Sequence, residues 1–386
     1  MKMKAASWSD LWTSSTFYVF AVLYGQILSL FLPFFTTKIF AIYMILITIY
    51  GIWIRKIRYR LTAIASVLLG IYFILRYVFD LREVISYVYA SAIVIIFAAL
   101  YIENTETNFS INSKKINQYI FLYLLLNVSL YIWGFSGCFQ NTGSELRFRG
   151  ALPHSNMLGA VIFSLFLLIF WDRKRLAWCN KLGLTLIVFL SRSRTYILLI
   201  MVIWLIQICS VTCRRVEFRT KLLAGIAFLT LFGRSMFQIM VTHFSFMSRF
   251  RTNRLGGNGR QYLQASYLNT ILKGSVIEKV SGIKMAKSYL AGITVSFSHS
   301  FTENSVAGIF LLFGVAGFLL LLIIFSKYIR NCKSVQGWLF ILLNLLSLLT
   351  QDTLLSIQTG IMTFMSLAVA ISYDDKTVFR LKNVRR

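Results

Sequence analysis

The sequence predicts an all-α polytopic membrane protein of about twelve transmembrane helices with one long extracytoplasmic loop. Three observations predict it. Of 386 residues, 58% are hydrophobic and 14% are charged, with a mean hydropathy of +0.71, whereas soluble domains carry roughly 25% charge. The apolar residues fall in continuous runs of about 17 to 25, the length of a helical crossing, without the alternation of a β-barrel. One stretch, residues 235–304, interrupts these runs with about seventy mostly polar residues. Residues 1–386 therefore read as a single integral membrane domain carrying that loop between spans.

In chain order, spans are expected at about 16–35, 38–54, 61–79, 84–102, 117–135, 155–171, 180–191, 195–212, 219–234, 305–326, 335–350 and 353–373. The first is read as an uncleaved span: polar residues follow Met1-Lys2-Met3-Lys4, and no small-residue cleavage site stands in place. The runs at 180–191 and 219–234 are short for a core of about 30 Å at 1.5 Å per residue, so they are expected to be tilted, broken or re-entrant.

The net charge of +27 suggests nucleic acid in a soluble protein. Here Lys and Arg fix topology instead, and no nucleic-acid partner is expected. With a cytoplasmic N-terminus, Lys2, Arg55, Lys114, Lys174, Lys181, Arg214, Lys327 and Lys376, each with basic neighbours, fall on the inside. An even number of spans then puts both termini in the cytoplasm.

Basic residues on the other face break the rule. Arg147, Arg149, Arg192, Arg194, Arg234, Arg249, Arg251, Arg254 and Arg260 lie outside or at the outer rim. Those in the long loop carry less weight, because long loops translocate despite charge. Arg192 and Arg194 carry more, since Ser191-Arg192-Ser193-Arg194-Thr195 separates two apolar runs with almost no loop. Ionisable residues at such depth are costly and either pair, line a polar cavity or snorkel to headgroups. Arg76, beside Asp80, Arg82 and Glu83, reads as part of a structural ion pair.

Several chemistries are not signalled. Cys138, Cys179, Cys209, Cys213 and Cys332 fit neither a zinc site nor a disulfide framework, and three His without paired spacing point to no metal. Gly256-Gly257-Asn258-Gly259 lacks the Lys-Ser/Thr of a phosphate-binding loop. Ser191 and Ser193 have no local base. Convergent Arg suits phosphate or pyrophosphate, because the guanidinium is permanently charged and bidentate. Glu303 and His299 are the titratable groups nearest a span entry, and either can accept a proton from a sugar hydroxyl. Glu303 also suits capping of the helix that follows it.

Three outside segments carry short motifs in order. Arg147-Phe148-Arg149-Gly150 and Pro153-His154-Ser155-Asn156 precede one span, and Ser191 to Thr195 precedes another. Asn258-Gly259-Arg260 lies in the loop, and Glu303-Asn304-Ser305 stands about ten residues before Gly314. Over roughly residues 147–317 this order resembles the bacterial Wzy O-antigen and capsule polymerases and their O-antigen ligase relatives.

The resemblance implies a GT-C-like glycosyltransferase of the bacterial plasma membrane, without metal or other cofactor. Its substrates would be oligosaccharide units on undecaprenyl pyrophosphate, and its partners the bilayer, a chain-length regulator and a flippase. By motif position Arg149, Arg194 and Arg260, with Arg192 beside them, would hold the pyrophosphate, and Glu303 or His299 would be the base. Arg147, His154, Asn156 and Asn304 are secondary candidates. The chain departs from the ligase pattern, which has His directly before the Asn. Glu303 stands there instead, and Gln264 stands where a loop aromatic is expected. Polymerase is therefore favoured over ligase. A lipid-linked oligosaccharide flippase and a non-catalytic export partner are the readings from other classes.

Overall fold

The computed structural model describes residues 15–31, 65, 69, 91–99, 113–141, 146–170, 172, 174–212, 272–282, 305–332, 335–351, 353–356 and 358–368. These are mostly helical. The spans expected at about 38–54 and 219–234, and the long loop apart from residues 272–282, lie outside them.

In chain order the elements are α1 (Ser15–Phe31), α2 (91–99), α3 (Ser113–Ile132), the strands β1 (Phe139–Asn141) and β2 (Leu146–Phe148), α4 (Ser155–Ile169), α5 (Arg175–Ser191) and α6 (Arg194–Thr212). Then come α7 (Val276–Ser281), α8 (Ser305–Asn331), α9 (Val335–Thr350), a 3-10 turn (Thr353–Leu355) and α10 (358–368). Among the described residues one helical stretch is long and apolar enough to cross a membrane, Leu312–Arg330. Val19–Leu28, Ser155–Ile169, Arg194–Gln207 and Gly337–Leu349 are shorter apolar stretches.

Helix α4 is the centre of the bundle. It is apolar on nearly every side and correspondingly buried, as expected of a helix without a polar face. It packs against α3, α5 and α6. Aromatic rings seat it: Phe163 lies 5.8 Å from Tyr196, Phe166 5.5 Å from Trp204, and Phe170 5.2 Å from Phe340. The Trp204 Nε1–H donates to Thr185 Oγ1 at 2.9 Å, so the indole packs its body and satisfies its one donor.

Helix α5 begins at Arg175, well before the short run expected at 180–191, and is 17 residues long. The reason is Lys181. Counted from sequence among the loop cations, it is fully buried within α5. Its ammonium donates to the carbonyls of Phe170 at 2.8 Å and Asp172 at 3.0 Å, and lies 5.1 Å from the Trp178 ring centroid. These carbonyls follow the C-terminus of α4, where a cation also meets the negative end of the helix dipole. Asn117 on α3 donates to Asp172 Oδ2 at 2.8 Å, and Asn180 donates to the Asn117 carbonyl at 2.8 Å. One polar knot thus ties α3, α4 and α5 at this end of the bundle.

Helix α8 is broken. Gly314 has φ 63° and ψ −157°, a backbone region open essentially to glycine alone. Helix α7 packs against α8. A Cβ on Gly314 would stand 2.5 Å from the Val280 carbonyl oxygen, and 2.6 Å from both the Lys279 carbonyl oxygen and the Gly282 nitrogen. All three are backbone atoms and cannot swing aside. The break therefore seats residues 279–282 against the helix, which gives a physical role to Gly314. Gly314→Ala is expected to cost about 3 kcal/mol from the strained backbone alone, read as a lower unfolding temperature and faster proteolysis within residues 272–282. An unchanged temperature would contradict this packing.

Candidate functional site at one end of the bundle

Two antiparallel strands lead into α4, an element the sequence did not signal. Phe139 pairs with Phe148, Gln140 with Arg147, and Asn141 with Leu146. The hairpin packs through aromatics: Phe139 and Phe148 lie 5.6 Å apart, and Tyr131 on α3 stands 5.4 Å from Phe148. Gln140 then caps α4. Its Oε1 accepts the Ser155 backbone N–H at 3.1 Å, which leaves its amide Nε2 to donate to His154 Nδ1 at 3.3 Å. Because one end of the amide accepts from the backbone, the other must donate, so His154 carries no proton on Nδ1 in this arrangement. The N-cap residue His154 has extended backbone and makes no side-chain cap of its own. Gln140 supplies that cap from the hairpin.

Arg149 fastens the same loop. Its Nε donates to the Gly137 carbonyl at 3.2 Å and its Nη1 to the Pro153 carbonyl at 2.9 Å, while its backbone N–H meets the Cys138 carbonyl at 2.8 Å. Burial pushes the Cys138 thiol up to about 11, partly opposed by the Arg149 charge, so the thiol is neutral near pH 7 and is a packing group rather than a nucleophile. Gly150 turns the chain over α3 with φ 56°, where a Cβ would meet Asn127 Oδ1 at 2.7 Å.

The turn between α5 and α6 follows. Arg192 ends α5 in the left-handed region, with φ 53° and ψ 27°, and its N–H bonds the Phe189 carbonyl at 3.1 Å. It is the one non-glycine residue with positive φ among those described. Glycine normally holds this capping position, and an L-residue there costs roughly 1–2 kcal/mol. An arginine kept at a glycine's position points to a use for the charge. Arg192→Gly is expected to leave the unfolding temperature unchanged or higher while weakening function. A fall in stability with function retained would contradict this.

Ser191 Oγ donates to the Val188 carbonyl at 2.7 Å and accepts the Ser193 N–H at 3.3 Å. Ser193 Oγ donates to Asn156 Oδ1 at 3.0 Å. Both hydroxyls are spent on holding the turn, and the second joins it to the start of α4. Arg194 opens α6, half-buried, one residue further on.

The third segment arrives through α9. Gln351, just past the end of α9, donates from Nε2 to Thr195 Oγ1 at 3.1 Å. Its carbonyl accepts both the N–H and the hydroxyl of Ser305, at 3.0 Å and 2.7 Å. Ser305 Oγ also accepts the Leu354 N–H at 3.0 Å and lies 3.1 Å from Thr353 Oγ1.

The start of α4 with His154 and Asn156, the turn with Arg192 and Arg194, and the first residue of α8 thus share one end of the bundle. Arg147 and Arg149 join them through the hairpin. Arg260, His299, Glu303 and Asn304 lie outside the described residues, although Ser305 directly follows Asn304 in sequence. Sequence reasoning missed Gln140, Gln351 and Thr353. The only local signal for Gln351 is a polar residue closing an apolar run.

No family model matches the chain, and no curated protein is detectably similar to it.

Proposed function

We propose that this chain is a polytopic membrane glycosyltransferase of about twelve spans and GT-C-like architecture that polymerises polysaccharide repeat units. The donor is a glycan on undecaprenyl pyrophosphate, and the acceptor is a hydroxyl at the non-reducing end of the next lipid-linked unit. The reading places the protein in the bacterial inner membrane, with both termini cytoplasmic and the hairpin, the Arg192–Arg194 turn and the long loop outside.

The observation that carries the reading is the pair of links Asn156–Ser193 and Thr195–Gln351–Ser305. They join segments far apart in sequence, each singled out by its own arginines or by its place beside a carboxylate. Arginines gathered at one end of an apolar bundle call for an anion, since otherwise they repel.

In the proposed chemistry the glycosidic C1–O bond to pyrophosphate breaks, and the leaving oxygen takes the electron pair. Arg192 and Arg194, with Arg149 and Arg260, stabilise the negative charge that builds there. The acceptor oxygen bonds to C1, and its proton passes to the Glu303 carboxylate, with His299 as the alternative base. Undecaprenyl pyrophosphate leaves, and the glycan is longer by the transferred chain.

Deletion of the chain in its native host, followed by separation of surface glycan by length, tests this. A polymerase leaves single-unit products on deletion, and plasmid-borne protein restores long chains. Loss of all glycan from lipid A-core with long lipid-linked chains accumulating would assign a ligase instead. Lipid-linked units trapped on the cytoplasmic side would assign a flippase.

A further inference from the structure

Gln351 occupies a joint that local sequence does not explain. Its N–H continues the α9 ladder to the Ser347 carbonyl at 2.9 Å, so its own carbonyl belongs to the last turn of a helix and needs an outside donor. That donor is the N-terminus of α8: the Ser305 N–H and hydroxyl both bind this carbonyl. The end of one helix therefore caps the start of its antiparallel neighbour. The side chain then reaches the other way, to Thr195 in the first turn of α6.

A second bond indexes the same contact. Tyr196, next to Thr195, pairs its hydroxyl with Ser347 Oγ at 2.9 Å. Ser347 and Gln351 stand one helical turn apart on one face of α9 and meet successive residues of α6. Such a pair fixes how far α6 is rotated and advanced against α9. Gln351 also carries the register to α8. It is 4% exposed, and buried polar bonds of this kind hold a single geometry because breaking one leaves its partner unsatisfied.

We propose that Gln351 is a positioning residue for glycan transfer. It fixes the first turn of α6, which Arg194 opens, against the start of α8, the helix entered directly from Glu303 and Asn304. Transfer demands that the leaving pyrophosphate and the attacking hydroxyl be held at one fixed separation, and a joint that touches both elements sets it. This rests on the polymerase reading above.

Three variants break the joint: Gln351→Leu, which keeps bulk and loses both polar atoms of the side chain; Thr195→Val, which removes the same bond from the other side; and their combination. Purified full-length protein in liposomes containing lipid-linked repeat units gives kcat and donor KM, and hydrogen–deuterium exchange of the same samples gives the state of the joint. Either single change is expected to lower kcat by about 10- to 100-fold with donor KM within about twofold, and the double change to add little. Exchange should quicken across residues 191–199 and 305–312 and stay at the wild-type rate across residues 175–185. Gln351→Glu, whose carboxylate can accept a hydrogen bond from the Thr195 hydroxyl, should restore slow exchange at residues 191–199. Wild-type kcat in Gln351→Leu, additive losses in the double variant, or unchanged exchange in both segments would each overturn the proposal. Wild-type protein that makes no polymer would sink the polymerase reading instead, and the exchange comparison would still decide whether Gln351 sets the register.

Discussion

Arg194→Lys is expected to reduce chain extension by about 100-fold or more, the effect of removing one preorganised donor from a developing oxyanion. The charge is conserved in this change, so a purely electrostatic anchor would tolerate it. The planar fork is lost, and with it bidentate contact to a phosphate. Arg194 also opens α6, where the first N–H groups carry the positive end of the helix dipole and reinforce an anion site. Its neighbours on both sides are spent on structure, Ser193 on Asn156 and Thr195 on Gln351, which holds the backbone of the turn still. The measurement is glycan length in cells, at matched protein level in the membrane. Wild-type chains from the lysine variant would remove the pyrophosphate role.

Glu303→Gln is expected to abolish extension, a loss of about 100- to 10,000-fold for a general base, while leaving protein in the membrane at its usual level. Glutamine keeps the size and hydrogen-bonding reach of the carboxylate but cannot take a proton. The competing reading is that Glu303 caps α8. The first N–H of α8, that of Ser305, already has a partner in the Gln351 carbonyl, so that donor does not depend on Glu303. Glutamine would also serve as a partial cap, so a capping role predicts normal chains. His299→Gln distinguishes the alternative base. Long chains from Glu303→Gln, with only single units from His299→Gln, would move the base to His299.

The helices were legible where apolar runs ended at clear polar boundaries. α9 spans Val335–Thr350, the range expected from its run, and α6 begins at Arg194, one residue from the expected start. Reading failed where a polar residue serves a distant partner. Lys181 looked like a loop cation, yet it caps α4 from inside α5, so the helix starts earlier than hydropathy suggested. Gly314 stood in the sequence only as the glycine about ten residues beyond Glu303-Asn304-Ser305, and it is where α8 breaks to receive α7. In the site, the arginine-bearing turn and the start of α4 stood out as motifs. Gln140 and Gln351, which hold these segments in place, did not. Gln351 bonds a residue 156 positions away and Gln140 one 15 positions away, relations that periodicity and composition do not encode. The hairpin escaped notice for a related reason: its strands are three residues each, too short for alternation to register.

Glycan transfer from a pyrophosphate carrier is proposed for the end of the bundle where Gln351 links the first turn of α6 to Ser305. Its most direct test uses purified protein in liposomes with lipid-linked repeat units as the only substrate, following product length and released undecaprenyl pyrophosphate together. Glycans of two or more units are expected, with one carrier released for each bond formed, and both products formed about 100-fold or more slowly by the Arg194→Lys variant. Repeat units that cross the bilayer unchanged, with no carrier released, would contradict it.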